Sequence, residues 1–318
     1  MGAGVGAAIG LTLVAFASGG YFPTAWTWAA LLALVFVAAV LGLGVATRPS
    51  GLALVSLGAL GGFGAWTWLA LAWSADPAAT VLEGLRVLMY VSVFAALLLV
   101  LRRDGVPILL AATLAAIFLA SGYGLLTRLF PERLGAFDPV AAYRLEEPLT
   151  YWNAAGLFAA MGALLALGFA ARSQTLLARA AVAATLPVFL ATLYFTFSRG
   201  AWIAGAVGLA AALAIDPRRL QLLLAALIFE IPSGFAVLLS SHEKALTRTD
   251  APLSDASHDG HRLALYILLL AVAAGLAGAG LWLAERRVTP PRQARLAFAG
   301  AGPVNGDLVF DIELIKIK

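Results

Sequence analysis

Arg86, Arg144, Arg199 and Arg262 each stand at or near the head of a long apolar run, and this placement is the chain's first chemical signal. A helix starting there presents free N–H donors and about half a positive charge at its N-terminus. An arginine added at that end is locally unfavourable unless an anion joins the arrangement, so the pattern points to an anion site. Guanidinium suits phosphate better than ammonium does, because its planar fork donates two parallel hydrogen bonds and stays charged where water is excluded. A lipid diphosphate is the natural ligand at such a depth. The competing reading is structural: Arg144 pairs with Glu146 or Glu147, Arg86 pairs with Glu83, and Arg199 reaches toward lipid headgroups.

Other polar residues gather near these arginines. Tyr151 and Trp152 in RLEEPLTYWN at 144–153 are typical interface aromatics, and Asn153 either caps the following helix or offers its amide to a sugar or phosphate. His242, His258 and His261 share one polar segment with Glu243, Asp250, Asp255 and Asp259. The H-x-x-H at 258 and 261 is too loose to place a metal, and none is expected. His258 is a candidate general base, against the alternative of a solvated polar loop. Glu230, in LIFEIPSGF, lies inside an apolar run, where a charged side chain costs about 2.5–3.5 kcal/mol. It is a functional candidate, and the following Ile-Pro-Ser-Gly either breaks the helix to open a watered pocket or follows a carboxyl that is simply protonated.

The elements that must carry these residues are membrane spans. The chain is 62% hydrophobic and 12% charged with a mean hydropathy of +0.93, where a soluble domain carries roughly 25% charge. Uncharged runs of span length predict an all-α polytopic bundle of ten helices near 3–19, 26–46, 52–72, 82–101, 106–126, 150–171, 180–197, 200–215, 220–240 and 262–284. A cleaved signal peptide is not expected, because no basic residue precedes the first apolar stretch and that stretch runs too long. With the N-terminus in the cytoplasm, the inner loops ATRPSG, LRRDG, ARSQTLLARA, IDPRR and ERRVTPPRQAR collect most of the arginines. The positive-inside rule favours that orientation and makes 127–149 and 241–261 outer segments. A net charge of +4 spread over short loops describes membrane orientation rather than a nucleic-acid patch. There is no cysteine, hence no thiolate chemistry and no disulfide. No internal repeat supports an inverted-repeat transporter.

WSADP at 73–77, the arginine before PLTYWNAAG at 148–156, and TFSRGAW at 196–202 resemble motifs of the O-antigen ligase and O-antigen polymerase family of polytopic membrane glycosyltransferases. The similarity runs from the first span to about Phe298. It implies an enzyme of the bacterial inner membrane that moves a glycan from a polyprenyl-diphosphate carrier to a lipid or glycan acceptor on the outer face. No cofactor, metal or nucleic acid enters that reaction. By the same resemblance Arg199 and then Arg144 hold the diphosphate, while the family's own base is expected in the further region; His258 stays a candidate base from the residue reading alone. Arg86, Tyr151, Trp152, Asn153, Ser198 and Arg262 then line the donor site. Family members continue through further spans and a large outer loop with a second Arg and a His, so the chain reads as a C-terminally incomplete copy.

After the last span, 286–301 is a basic cytoplasmic segment, and 302–318, GPVNGDLVFDIELIKIK, alternates in the two-residue period of a strand. The tail resembles the final strand of an FKBP-type prolyl isomerase and reads as a junction or assembly artefact, with no isomerase activity expected. Two other classes compete with the transferase: a transporter or flippase of a lipid-linked or anionic solute, and a non-catalytic membrane assembly protein. The orientation is directly testable in a chain without cysteine. Thr249→Cys should react with an impermeant maleimide in intact cells, and Gln174→Cys only after permeabilisation; the reverse pattern inverts the topology.

Overall fold

The computed structural model describes residues 2–135 and 141–287, and every regular element among them is helical. The strand-like tail and most of the basic segment lie outside the described residues. In chain order the helices are α1 (Gly2–Phe16), α2 (Pro23–Gly42), α3 (Gly51–Leu69), α4 (Pro77–Val100), α5 (Val106–Leu129), α6 (Pro131–Leu134), α7 (Trp152–Arg172), α8 (Leu176–Ala183), α9 (Leu186–Thr196), α10 (Arg199–Ile215), α11 (Arg219–His242) and α12 (Leu253–Arg287). Eight spans are long and apolar enough to cross a membrane, α8 and α9 together making one of them. The chain is therefore an integral membrane protein. The two remaining expected spans correspond to α1 and α10, which are shorter at 15 and 17 residues.

Local signals set most helix starts. Proline stands in the first turn of α2, α4, α5 and α9, where its missing N–H costs nothing. Ser50, Asp76 and Thr175 cap α3, α4 and α8 by accepting from the N–H groups of Ala53, Ala79 and Ala178 at 3.0–3.2 Å.

Three expectations change. The segment expected at 180–197 as one rod is two helices, because Pro187 cannot continue the ladder from α8; the turn is closed by Thr185 Oγ1 donating to the Val182 carbonyl at 2.7 Å. α4 starts at Pro77 and α12 at Leu253, well before the expected 82 and 262, so half of the 241–261 loop is helix. Charged side chains end a membrane span without ending the helix that carries it. Finally, Pro232 lies inside a continuous α11, so Ile-Pro-Ser-Gly does not break the helix.

α9 occupies the centre, packed by α5, α7, α11 and α12, with Phe189, Leu193 and Phe195 buried. Glycine lets the neighbours close in. A Cβ on Gly162 of α7 would lie 2.5 Å from the Phe189 ring and 2.7 Å from Ile117 of α5. Gly278 of α12 likewise approaches α8, where a Cβ would meet Ala183 at 3.0 Å. α1 packs along α5, whereas α2, α3 and α4 form a separate layer with α4 in the middle.

At the end of the bundle opposite the 127–149 segment, Arg179 is buried, 3% exposed, rather than sitting in a loop as expected. It donates to Glu285 at 2.7 Å and to the Ala171 carbonyl at 3.2 Å, while Gln221 donates to the same two residues at 3.1 and 3.0 Å. That network ties α7, α8, α11 and α12 together, because a buried guanidinium must find a carboxylate. Arg172 pairs with Asp216 beside it.

Gly162→Val should lower unfolding stability by about 1–3 kcal/mol through overpacking, read by denaturant titration in mixed micelles. Gly58→Val, with nothing within 4 Å of the new Cβ, should not.

Candidate functional site

The segment 141–151 has little regular structure of its own and is laid across helix ends. The Leu145 N–H donates to the Phe195 carbonyl of α9 at 2.8 Å, and buried Leu145 packs into the core. Gly124 of α5 lies so close beneath that a Cβ there would collide with the Glu147 carbonyl. Arg128, near the end of α5, donates to the Arg144 carbonyl and fixes that turn from below. Tyr143 meets Phe197 edge to face, 5.0 Å between centroids, and so joins the segment to the turn between α9 and α10. Phe197 holds that turn in the left-handed region, φ 52°.

Two helix starts meet here. Ser198 caps α10 by accepting from the Ala201 N–H at 3.2 Å and donates its own hydroxyl to Asn153 Oδ1 at 2.8 Å. Asn153 in turn donates to the Tyr151 hydroxyl at 2.7 Å. Asn153 therefore does not cap α7, which has no side-chain cap; it clasps α7 to α10. Gly156 permits the approach, since a Cβ there would lie 2.8 Å from Thr196 Oγ1 and 2.9 Å from Ala201.

The four arginines divide into two kinds. Arg86 donates to Glu83 at 2.7 and 3.0 Å and lies 5.7 Å from the Trp26 ring, about two and a half turns inside α4 rather than at its start. Arg262 grips buried Glu243 with both arms of its fork and reaches Asp259 at 3.2 Å, equally deep in α12. Both are satisfied by carboxylates: the Arg86–Glu83 pair is the one the structural reading named, whereas the pairing of Arg262 with Glu243 was not expected. Arg144 and Arg199 are different. Arg144 lies over Trp152 at 4.7 Å and beside Tyr143 at 5.6 Å, with no carboxylate partner among the described residues. Arg199 is the first residue of α10, is exposed, and has no hydrogen bond or ion pair among the described residues.

Next to Arg144 a cavity of about 300 Å³ opens between the two polar segments, bordered by Arg128, Arg144, Glu146, Glu147, Thr150 and Arg248. Arg248 is held by Asp250 at 2.7 Å, and that hydrogen bond draws the Asp250 carboxyl below its ordinary pKa. His258 does not border this space: its ring is 74% exposed on the second turn of α12, 3.8 Å from Asp259. His261 instead meets Glu132 at 3.0 Å and stacks by Phe130. The Glu132 carboxyl is held below its ordinary pKa, first by its own backbone N–H and then by that imidazole. Among the described residues no three or more carboxylate or imidazole side chains converge as metal ligands do.

The structure thus brings together Arg144, Tyr151, Trp152, Asn153 and Ser198, with Arg199 next in the chain, and leaves Arg86, Arg262 and His258 elsewhere. Arg128 and Tyr143 were not singled out from sequence. Arg128 carried a signal, being a further cation on the expected outer side, whereas Tyr143 carried none. No family model, curated protein or solved structure matches this chain.

Truncation separates the two kinds of arginine. Arg262→Ala should lower unfolding stability by stranding buried Glu243. Arg144→Ala and Arg199→Ala should each change it by less than about 1 kcal/mol, in the same denaturant titration.

Proposed function

We propose that this end of the bundle faces the cell exterior and binds the diphosphate of a polyprenyl-linked glycan, and that the chain is a glycosyltransferase of the O-antigen ligase or polymerase type. The observation that carries the reading is a pair of arginines without carboxylate partners among the described residues, Arg144 over Trp152 at the start of α7 and Arg199 at the start of α10, two helices clasped by Ser198 and Asn153. The uncapped first turn of α7 supplies N–H donors on the same side. Trp152 and exposed Tyr151 offer flat faces to a sugar or an isoprenoid.

In the proposed reaction an acceptor hydroxyl attacks the anomeric carbon, the carbon–oxygen bond to diphosphate breaks, and the polyprenyl diphosphate leaves with the bonding pair. Arginine forks stabilise the charge that grows on the departing group, which is where fixed donors accelerate such a step. The hydroxyl proton needs an acceptor. Glu146 and Glu147 follow Arg144 in the same segment and border the cavity beside it, which neither Arg199 nor His258 does, so we assign that role to the glutamates.

The test is binding of a purified polyprenyl diphosphate to the full chain in detergent. Arg144→Ala and Arg199→Ala should each weaken it about 10- to 100-fold, the loss of a charge-assisted contact. Arg199→Lys should lose most of that too, because a lysine keeps the charge without the fork. Arg86→Ala should bind as the unaltered protein does. Undiminished binding by Arg144→Ala and Arg199→Ala would remove the reading.

A further inference from the structure

Glu230 is the polar residue that the proposed site leaves unexplained. It is the twelfth of the 24 residues of α11, about 17 Å from either end at 1.5 Å per residue, and so at mid-membrane. It is exposed on the outer surface of the bundle, as are Leu227, Ile231 and Phe235 around it. Among the described residues it is the one carboxylate side chain on that surface at mid-span, and no hydrogen bond or ion pair reaches its side chain. An acid left against lipid is costly whether charged or neutral, since even the neutral form carries an O–H donor and a carbonyl acceptor without partners.

We propose that this face of α11 is an interface between two copies of the chain, in which the two Glu230 carboxyls hydrogen-bond to one another across a two-fold axis along the membrane normal. Such an axis puts the same residue at the same depth on both chains, so the acid meets a matching donor and acceptor with no other component. A neutral carboxyl is self-complementary, the O–H of one facing the carbonyl of the other. The flanking residues have the spacing of a helix-pairing seam: Leu220, Leu224, Leu227, Ile231, Gly234 and Leu238 recur at alternating steps of four and three, and all but half-buried Gly234 are exposed. Gly234 lies one turn beyond Glu230, where a Cβ would stand 3.6 Å from the carboxyl; its absence leaves room for a second carboxyl. A foreign helix with a mid-span cation is the competing occupant. The second copy is favoured because it brings both the matched depth and the matched seam. This interface is independent of the lipid-diphosphate reading.

The test uses the full chain, free of native cysteine, with Ile231→Cys on the seam and Val207→Cys on α10 as an equally exposed control. Each is purified, reconstituted at low density in phosphatidylcholine vesicles and oxidised. Ile231→Cys should give a disulfide-linked dimer well above the Val207→Cys background. Adding Glu230→Leu should weaken association roughly 3- to 30-fold, whereas Glu230→Gln, whose amide keeps a donor and an acceptor, should preserve it. An unchanged unfolding curve for Glu230→Leu, expected of a lipid-facing leucine, keeps that comparison meaningful. Cross-linking of Ile231→Cys no better than Val207→Cys, or unaffected by Glu230→Leu, overturns the proposal. Cross-linking only to a different protein in native membranes overturns it in favour of the foreign helix.

Discussion

The approach of α7 to α9, with the Phe189 ring seated where Gly162 has no side chain, is the contact on which the rest of the bundle depends. In lipid no hydrophobic force drives helices together, so association rests on close packing, and a glycine opposite an aromatic ring gives the greatest contact. Because α9 is covered by α5, α7, α11 and α12, its position sets theirs. The consequence reaches the polar end. The last carbonyls of α9 take the Leu145 N–H, and the turn after it delivers Ser198 to Asn153. A displacement of α9 would therefore move both sides of the candidate site together.

Electrostatics then separates residues of one type into two roles. Where a carboxylate shares a low-dielectric site with guanidinium, the pair satisfies itself and holds structure, as Arg262 does with Glu243 and Arg179 with Glu285. Where the neighbours are aromatic rings or solvent, the fork remains open to a ligand. Arg144 shows how such openness is kept without disorder. Its guanidinium is steadied over Trp152 while its backbone carbonyl is held by Arg128, so the residue is positioned by groups that do not neutralise it.

The helices also show that the membrane boundary and the helix boundary are separate constraints. α12 runs 35 residues, with Asp255, His258, Asp259, His261 and Arg262 on its first turns. Backbone hydrogen bonds continue wherever propensity allows, in water or in lipid, whereas charge marks only the depth of the hydrocarbon. Carrying the helix past that depth moves Arg262 ten residues in from the N-terminus and removes it from the influence of the helix dipole.

How much could be read in advance follows from range. Hydropathy alone determined that the chain is helical and spans a membrane, because twenty consecutive apolar residues must satisfy their backbone internally. Local chemistry sets the helix starts at Pro77 and Leu186 and the cap at Ser198 within single turns, yet the apolar runs placed the fourth span at 82 and ran 180–197 as one rod, because hydropathy does not mark where a helix begins. Tertiary structure decided the partners. That Arg262 meets a carboxylate, and Arg144 meets none among the described residues, depends on Glu243, 19 positions from Arg262, and on which helices pack together. The burial of Arg179 depends on Glu285, 106 positions along the chain. A one-dimensional reading sees the charge of an arginine but not its neighbours, and the neighbours fix whether that charge is left for a ligand.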